Sequence, residues 1–105
     1  MANLKSLLPV VTVPPLTNTV LGSSQQLTNS GSYYIDGDYS ITLPPVGSFT
    51  KGDIITLTPK LGSVLPEAVG DQPTDIVTRL GVTDKIIFNK NIAIPFTHNG
   101  VAWEV

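Results

Sequence analysis

The sequence predicts an all-β fold: a small β-sandwich or barrel of about seven short antiparallel strands with an extended N-terminal arm. Three observations predict it. Short runs of β-branched and aromatic residues are separated by Gly, Pro, Asn and Asp. No segment sustains the apolar periodicity of a helix. Turn signals recur along the whole second half of the chain, as they do in sheets built from short strands.

The arm comes first, over residues 1–24, followed by a single β-domain over 25–105. Pro9, Pro14 and Pro15 sit among apolar residues, and Gly22, Ser23 and Ser24 follow. Proline has no amide donor, so the segment reads as an extended arm or an edge strand rather than a core strand. An arm carrying Leu7, Leu8, Val10, Val11, Val13 and Leu16 can lie along a neighbouring subunit, or it can be a terminus packed on itself.

From Gln25 the pattern is β. Tyr33-Tyr34-Ile35 and Tyr39-Ser40-Ile41-Thr42-Leu43 flank Asp36-Gly37-Asp38, and Asp-Gly is a strong hairpin signal. Tyr39, Ile41 and Leu43 fall on one face, with Ser40 and Thr42 opposite. Pro44-Pro45 stops that strand, and Asp53-Ile54-Ile55-Thr56-Leu57-Thr58 is closed in the same way by Pro59. The two segments share a Gly-Asp-strand-Pro plan, which reads as recurring turn grammar rather than a repeat. Residues 59–75 are rich in Gly and Pro and read either as one helical turn near Pro66-Glu67-Ala68-Val69 or as a long loop. Leu61, Val64 and Leu65 make that loop a candidate contact surface. Further strands are expected at 75–80, 85–88, 92–94 and 96–98. The last hairpin turns at Asn99-Gly100, with both central residues at positive φ, into Val101-Ala102-Trp103-Glu104-Val105. Val101, Trp103 and Val105 are expected to share a face.

Composition narrows the function. The chain of 105 residues is 41% hydrophobic and only 13% charged, about half the charge of an ordinary soluble domain, with a mean hydropathy of +0.21. So small a domain struggles to hide that much apolar surface alone, and self-association relieves it. The six basic residues are scattered and the net charge is −2, which disfavours nucleic acid as a partner. No apolar run reaches the length of about 18–20 residues that spans a membrane. With no cysteine, disulfides and thiolate metal sites are excluded.

Little in the chain carries chemistry. The single histidine, His98, lacks a local nucleophile or orienting acid and reads as a hairpin-edge residue. Asp36-Gly37-Asp38 lacks the spacing of a calcium loop and reads as turn residues. Neither catalysis nor a cofactor is expected. Tyr33, Tyr34, Tyr39 and Trp103 read as core or interface aromatics, with a sugar-stacking platform as the alternative.

Three stretches resemble the small β-domains of tailed-bacteriophage virions, found in head decoration proteins and tail fibres. They are Gly31-Ser32-Tyr33-Tyr34-Ile35 with Ile41-Thr42-Leu43-Pro44-Pro45, then Lys51-Gly52-Asp53-Ile54-Ile55-Thr56-Leu57, and the ending Phe96-Thr97-His98-Asn99-Gly100-Val101-Ala102-Trp103-Glu104-Val105. The resemblance implies a symmetric virion component, such as a homotrimer, made in a host cytoplasm and partnered by itself and by major capsid or tail proteins. The short chain favours a capsid decoration (cement) subunit over a tail fibre. A carbohydrate- or receptor-binding module of a tail fibre is the alternative.

Overall fold

The computed structural model describes residues 18–62 and 64–105. The fold is all-β. Eleven strands occur among the described residues: β1 (Thr19–Leu21), β2 (Gln25–Gln26), β3 (Gly31–Ile35), β4 (Ser40–Thr42), β5 (Ile54–Pro59), β6 (Glu67–Val69), β7 (Ile76–Thr78), β8 (Gly81–Thr83), β9 (Lys85–Ile87), β10 (Ile94–His98) and β11 (Trp103–Glu104). A 3₁₀ turn, Val46–Ser48, follows Pro44-Pro45.

The strands are not seven and not all antiparallel. They form a seven-stranded sheet ordered β1-β3-β5-β10-β11-β7-β8 and a four-stranded sheet ordered β2-β4-β6-β9. The first six alternate between the sheets, and each of the first four pairs in parallel with the strand two places on: β1 with β3 and β3 with β5, β2 with β4 and β4 with β6. The chain therefore winds back and forth, laying one turn beside the last. Thr19 is paired with Tyr33, and Gly31 with Ile55. Parallel partners cannot be joined by a tight turn and need a crossover connection, here supplied by the excursion through the other sheet. After β6 the direction changes. β9 runs antiparallel to β6, β10 antiparallel to β5, and β7 and β8 form a hairpin.

This winding corrects the reading of Asp36-Gly37-Asp38. The turn does not close a hairpin, since β3 and β4 lie in different sheets; it is a corner between them. Gly37 holds φ at +149°, and a Cβ there would stand 2.8 Å from the Tyr39 ring. Only glycine fits without displacing that ring. Within the segment read as a helical turn or a long loop, Glu67–Val69 form the strand β6. Among the described residues the first strand, β1, falls within the span 1–24 read as the arm. β4 and β5 follow the two copies of the Gly-Asp-strand-Pro plan, yet they occupy different sheets, as turn grammar allows.

The last hairpin does form, but its loop is longer than two residues, because His98 faces Trp103. The Asn99 side chain accepts from the amides of Val101 and Ala102, both at 2.9 Å. Gly100 alone takes a positive φ, of +106°. Val101 thus sits in the turn, 79% exposed, while Trp103 is fully buried; they do not share a buried face.

One hydrophobic cluster draws on both sheets. Leu21, Ile35, Ile55, Leu57, Ile76, Phe96 and Trp103 come from the seven-stranded sheet, Ile41 and Ala68 from the four-stranded one, and Leu27, Leu43 and Phe88 from flanking positions. Strand pairing stacks these residues in rows: Leu21, Ile35 and Pro59 occupy successive turns at matched positions. The two-residue period of a strand sends the alternate residues outward.

Candidate functional site

Two surfaces stand out among the described residues. The first is a notch at the corner after β3. The Lys60 amide donates to the Ile35 carbonyl at 2.9 Å, continuing the rung that joins β5 to β3. This places the Lys60 ammonium 3.3 Å from Asp36. Both side chains are largely solvated, so the pair adds little stability. The loop that follows turns Leu61 and Val64 toward the same corner. Together Gly37, Asp38, Lys60, Leu61, Gly62 and Val64 line a cavity of ≈ 240 Å³, open to solvent. It offers one ammonium, the neighbouring carboxylates and two aliphatic side chains. That set can grip a side chain of another polypeptide, and it contains no nucleophile paired with a base. No group of three or more His, Asp and Glu side chains suited to a metal ion occurs among the described residues.

The candidate interface residues are divided. Leu61, Val64 and Leu65 are exposed in the β5–β6 loop, Val64 at 58%. Leu7, Leu8, Val10, Val11, Val13 and Leu16 lie outside the described residues.

The four aromatics do not come together as a platform. Trp103 is fully buried. Its indole N–H donates to the Pro44 carbonyl at 3.0 Å, and its ring meets Phe49 and His98 edge-on at 5.3 and 5.2 Å. Tyr33 and Tyr39 pack against the core cluster. The Tyr33 hydroxyl donates to the Asn29 carbonyl at 2.7 Å, and burial raises its pKa above the ordinary tyrosine value. Tyr34, next to Tyr33 in the strand, points to the opposite face, in a row with Val20 and Thr58.

His98 is not a hairpin-edge side chain. It is 2% exposed, with Nε2 2.8 Å from the Val46 carbonyl and Nδ1 accepting from the Gly100 amide at 3.1 Å. Those partners require the neutral ring with its proton on Nε2. The histidine ties the 3₁₀ turn to the last hairpin, and both nitrogens are occupied. No local sequence signal marks this burial, because Val46 lies far along the chain.

The second surface, which sequence reading missed, is the outer face of the seven-stranded sheet. One row crosses five strands as Ile54, Thr97, Glu104, Val77 and Val82. A second runs Ser32, Thr56 and Pro95, and a third Val20, Tyr34 and Thr58. Glu104 is the one charged residue in the three rows. Val20, Ile54 and Val82 are exposed by 61%, 47% and 58%. The alternation Ile54-Thr56-Thr58 signals this face, but only once the sheet order is known. No helix among the described residues is long and apolar enough to cross a membrane. Comparison with protein-family models, with curated proteins and with solved structures finds no match to this chain.

Proposed function

We propose that the chain is a structural, non-enzymatic subunit that associates with copies of itself and serves in a virion, as a capsid decoration (cement) subunit of a tailed phage. The observation that carries the self-association is the outer face of the seven-stranded sheet, with a single charge in three rows and Val20, Ile54 and Val82 open to solvent. The face mixes aliphatic residues with Ser and Thr and is poor in charge, and depletion of charge together with exposed aliphatic side chains is a mark of interaction surfaces. The exposed Leu61 and Val64 add a second apolar area at the β3–β4 corner. The virion placement rests on the resemblance of three stretches to small phage β-domains. We read the two sheets as the layers of a sandwich, since one cluster of buried side chains draws on both.

In such a role the work is mechanical. Contacts between subunits and with the shell add buried apolar area where internal pressure pulls a capsid apart, and no bond is made or broken. A symmetric oligomer such as a trimer presents the same face several times, which multiplies a weak contact. The test has two parts: the mass of the full chain in solution, and its co-sedimentation with empty phage capsids. An oligomer that sediments with capsids supports the proposal. A monomer that leaves capsids untouched and binds a defined glycan would replace it with the receptor-binding reading.

A further inference from the structure

The turn of the last hairpin gathers its polar groups around one side-chain amide. Asn99 Oδ1 accepts from the backbone amides of Val101 and Ala102, both at 2.9 Å. Asn99 Nδ2 donates to Glu104 Oε2 at 3.3 Å, so a partner fixes each end of the carboxamide. The next amide along the chain, that of Gly100, donates to His98 Nδ1 at 3.1 Å. The imidazole is buried and held from its other side, with Nε2 2.8 Å from the Val46 carbonyl.

These contacts match the needs of one reaction, the closure of an asparagine side chain on the following backbone nitrogen. The nucleophile is the Gly100 nitrogen, and its proton points at the lone pair of an imidazole, the geometry of general-base catalysis. The electrophile is Asn99 Cγ, whose oxygen lies between two amide donors at the distance of an oxyanion hole. Nucleophile and electrophile belong to adjacent residues, so the chain itself holds them together. Asn99 is the one asparagine followed by glycine, which has no side chain to obstruct the approach. Gly100 and Val101 are exposed, so water reaches the turn.

We propose that Asn99-Gly100 is a self-modification site, at which Asn99 is converted through a five-membered imide to aspartate and isoaspartate, with His98 as the base. The Gly100 N–H proton passes to His98 Nδ1 as the nitrogen bonds to Asn99 Cγ. The carbonyl π pair moves onto Oδ1, where the Val101 and Ala102 amides stabilise it. Collapse re-forms the C=O bond and breaks the bond to Nδ2, which takes the proton from His98 and leaves as ammonia. Water then opens the imide: attack at Cγ gives aspartate, and attack at the backbone carbonyl gives isoaspartate. The event occurs once per chain, without turnover. It sets a new carboxylate beside Glu104 and, as isoaspartate, lengthens the loop between His98 and Trp103, which pair across β10 and β11. This site stands apart from the self-association reading and does not depend on it.

The experiment incubates the full chain at neutral pH, folded and, in parallel, unfolded in urea, and follows Asn99 by peptide mapping that separates aspartate from isoaspartate. The expected result is release of ammonia and a gain of about one dalton at Asn99, with both products formed, severalfold faster in the folded chain than in the unfolded one. H98Q, which removes the imidazole, is expected to slow conversion to the rate of the unfolded chain. Asn99 that persists in the folded chain while it converts in urea overturns the proposal, since the turn then protects the amide. Aspartate without isoaspartate overturns the imide, because direct hydrolysis gives aspartate alone. A folded H98Q that converts as fast as wild type overturns the role of His98. If circular dichroism shows H98Q unfolded, the comparison of folded with unfolded wild type decides alone.

Discussion

Removing the Trp103 indole opens the largest hole available in the core, because the ring is fully buried and is met edge-on by Phe49 and His98. The Pro44 carbonyl also loses its donor. Trp103→Ala is expected to lower stability by about 3–5 kcal/mol, read by urea denaturation; an unchanged midpoint would contradict the burial. Tyr33 gives a pH-dependent test. Its pKa is raised because burial disfavours the charged phenolate, so the folded state resists an ionisation that the unfolded chain undergoes at the ordinary value of 10.0. The stability this contributes is present in full below that pH and is lost as pH rises through the folded value. The melting temperature is expected to fall in strong alkali, and to fall less steeply in Tyr33→Phe. Identical alkaline slopes would remove Tyr33 as a cause.

Most strands were legible as local patterns, since Ile54-Ile55-Thr56-Leu57-Thr58 and Tyr39-Ser40-Ile41-Thr42-Leu43 alternate or cluster as strands do. Their pairing was not. A parallel partner lies a whole turn of chain away, as Gly31 does from Ile55, and no short-range residue choice records that distance. The Asp-Gly turn misled for this reason: glycine at positive φ serves a corner between sheets as well as a hairpin. The loop residues Leu61, Val64 and Leu65 were recognisable as a contact candidate, whereas the outer-face rows needed the sheet order. Two outcomes test the winding. Gly37→Ala is expected to cost about 1–3 kcal/mol, while Gly47→Ala, where a Cβ meets nothing within 4 Å, leaves the melting temperature near wild type. In hydrogen exchange, the amides of β3 and β5, each flanked by strands on both sides, are expected to outlast those of β8. Equal protection of β3 and β8 would contradict the strand order.

At the scale of the molecule, the features converge on association. A chain with 13% charged residues folds into two sheets whose shared core buries Trp103, Phe88, Phe96 and the stacked aliphatic residues. It still leaves Val20, Ile54 and Val82 outside on a face with a single carboxylate among its rows. Burying apolar area of this kind between copies is the ordinary route by which a small β-domain gains stability. The most direct measurement is the solution mass of the full chain by sedimentation equilibrium over a range of concentrations. Self-association predicts a multiple of 11.2 kDa that falls only on dilution, and 11.2 kDa at every concentration would contradict it.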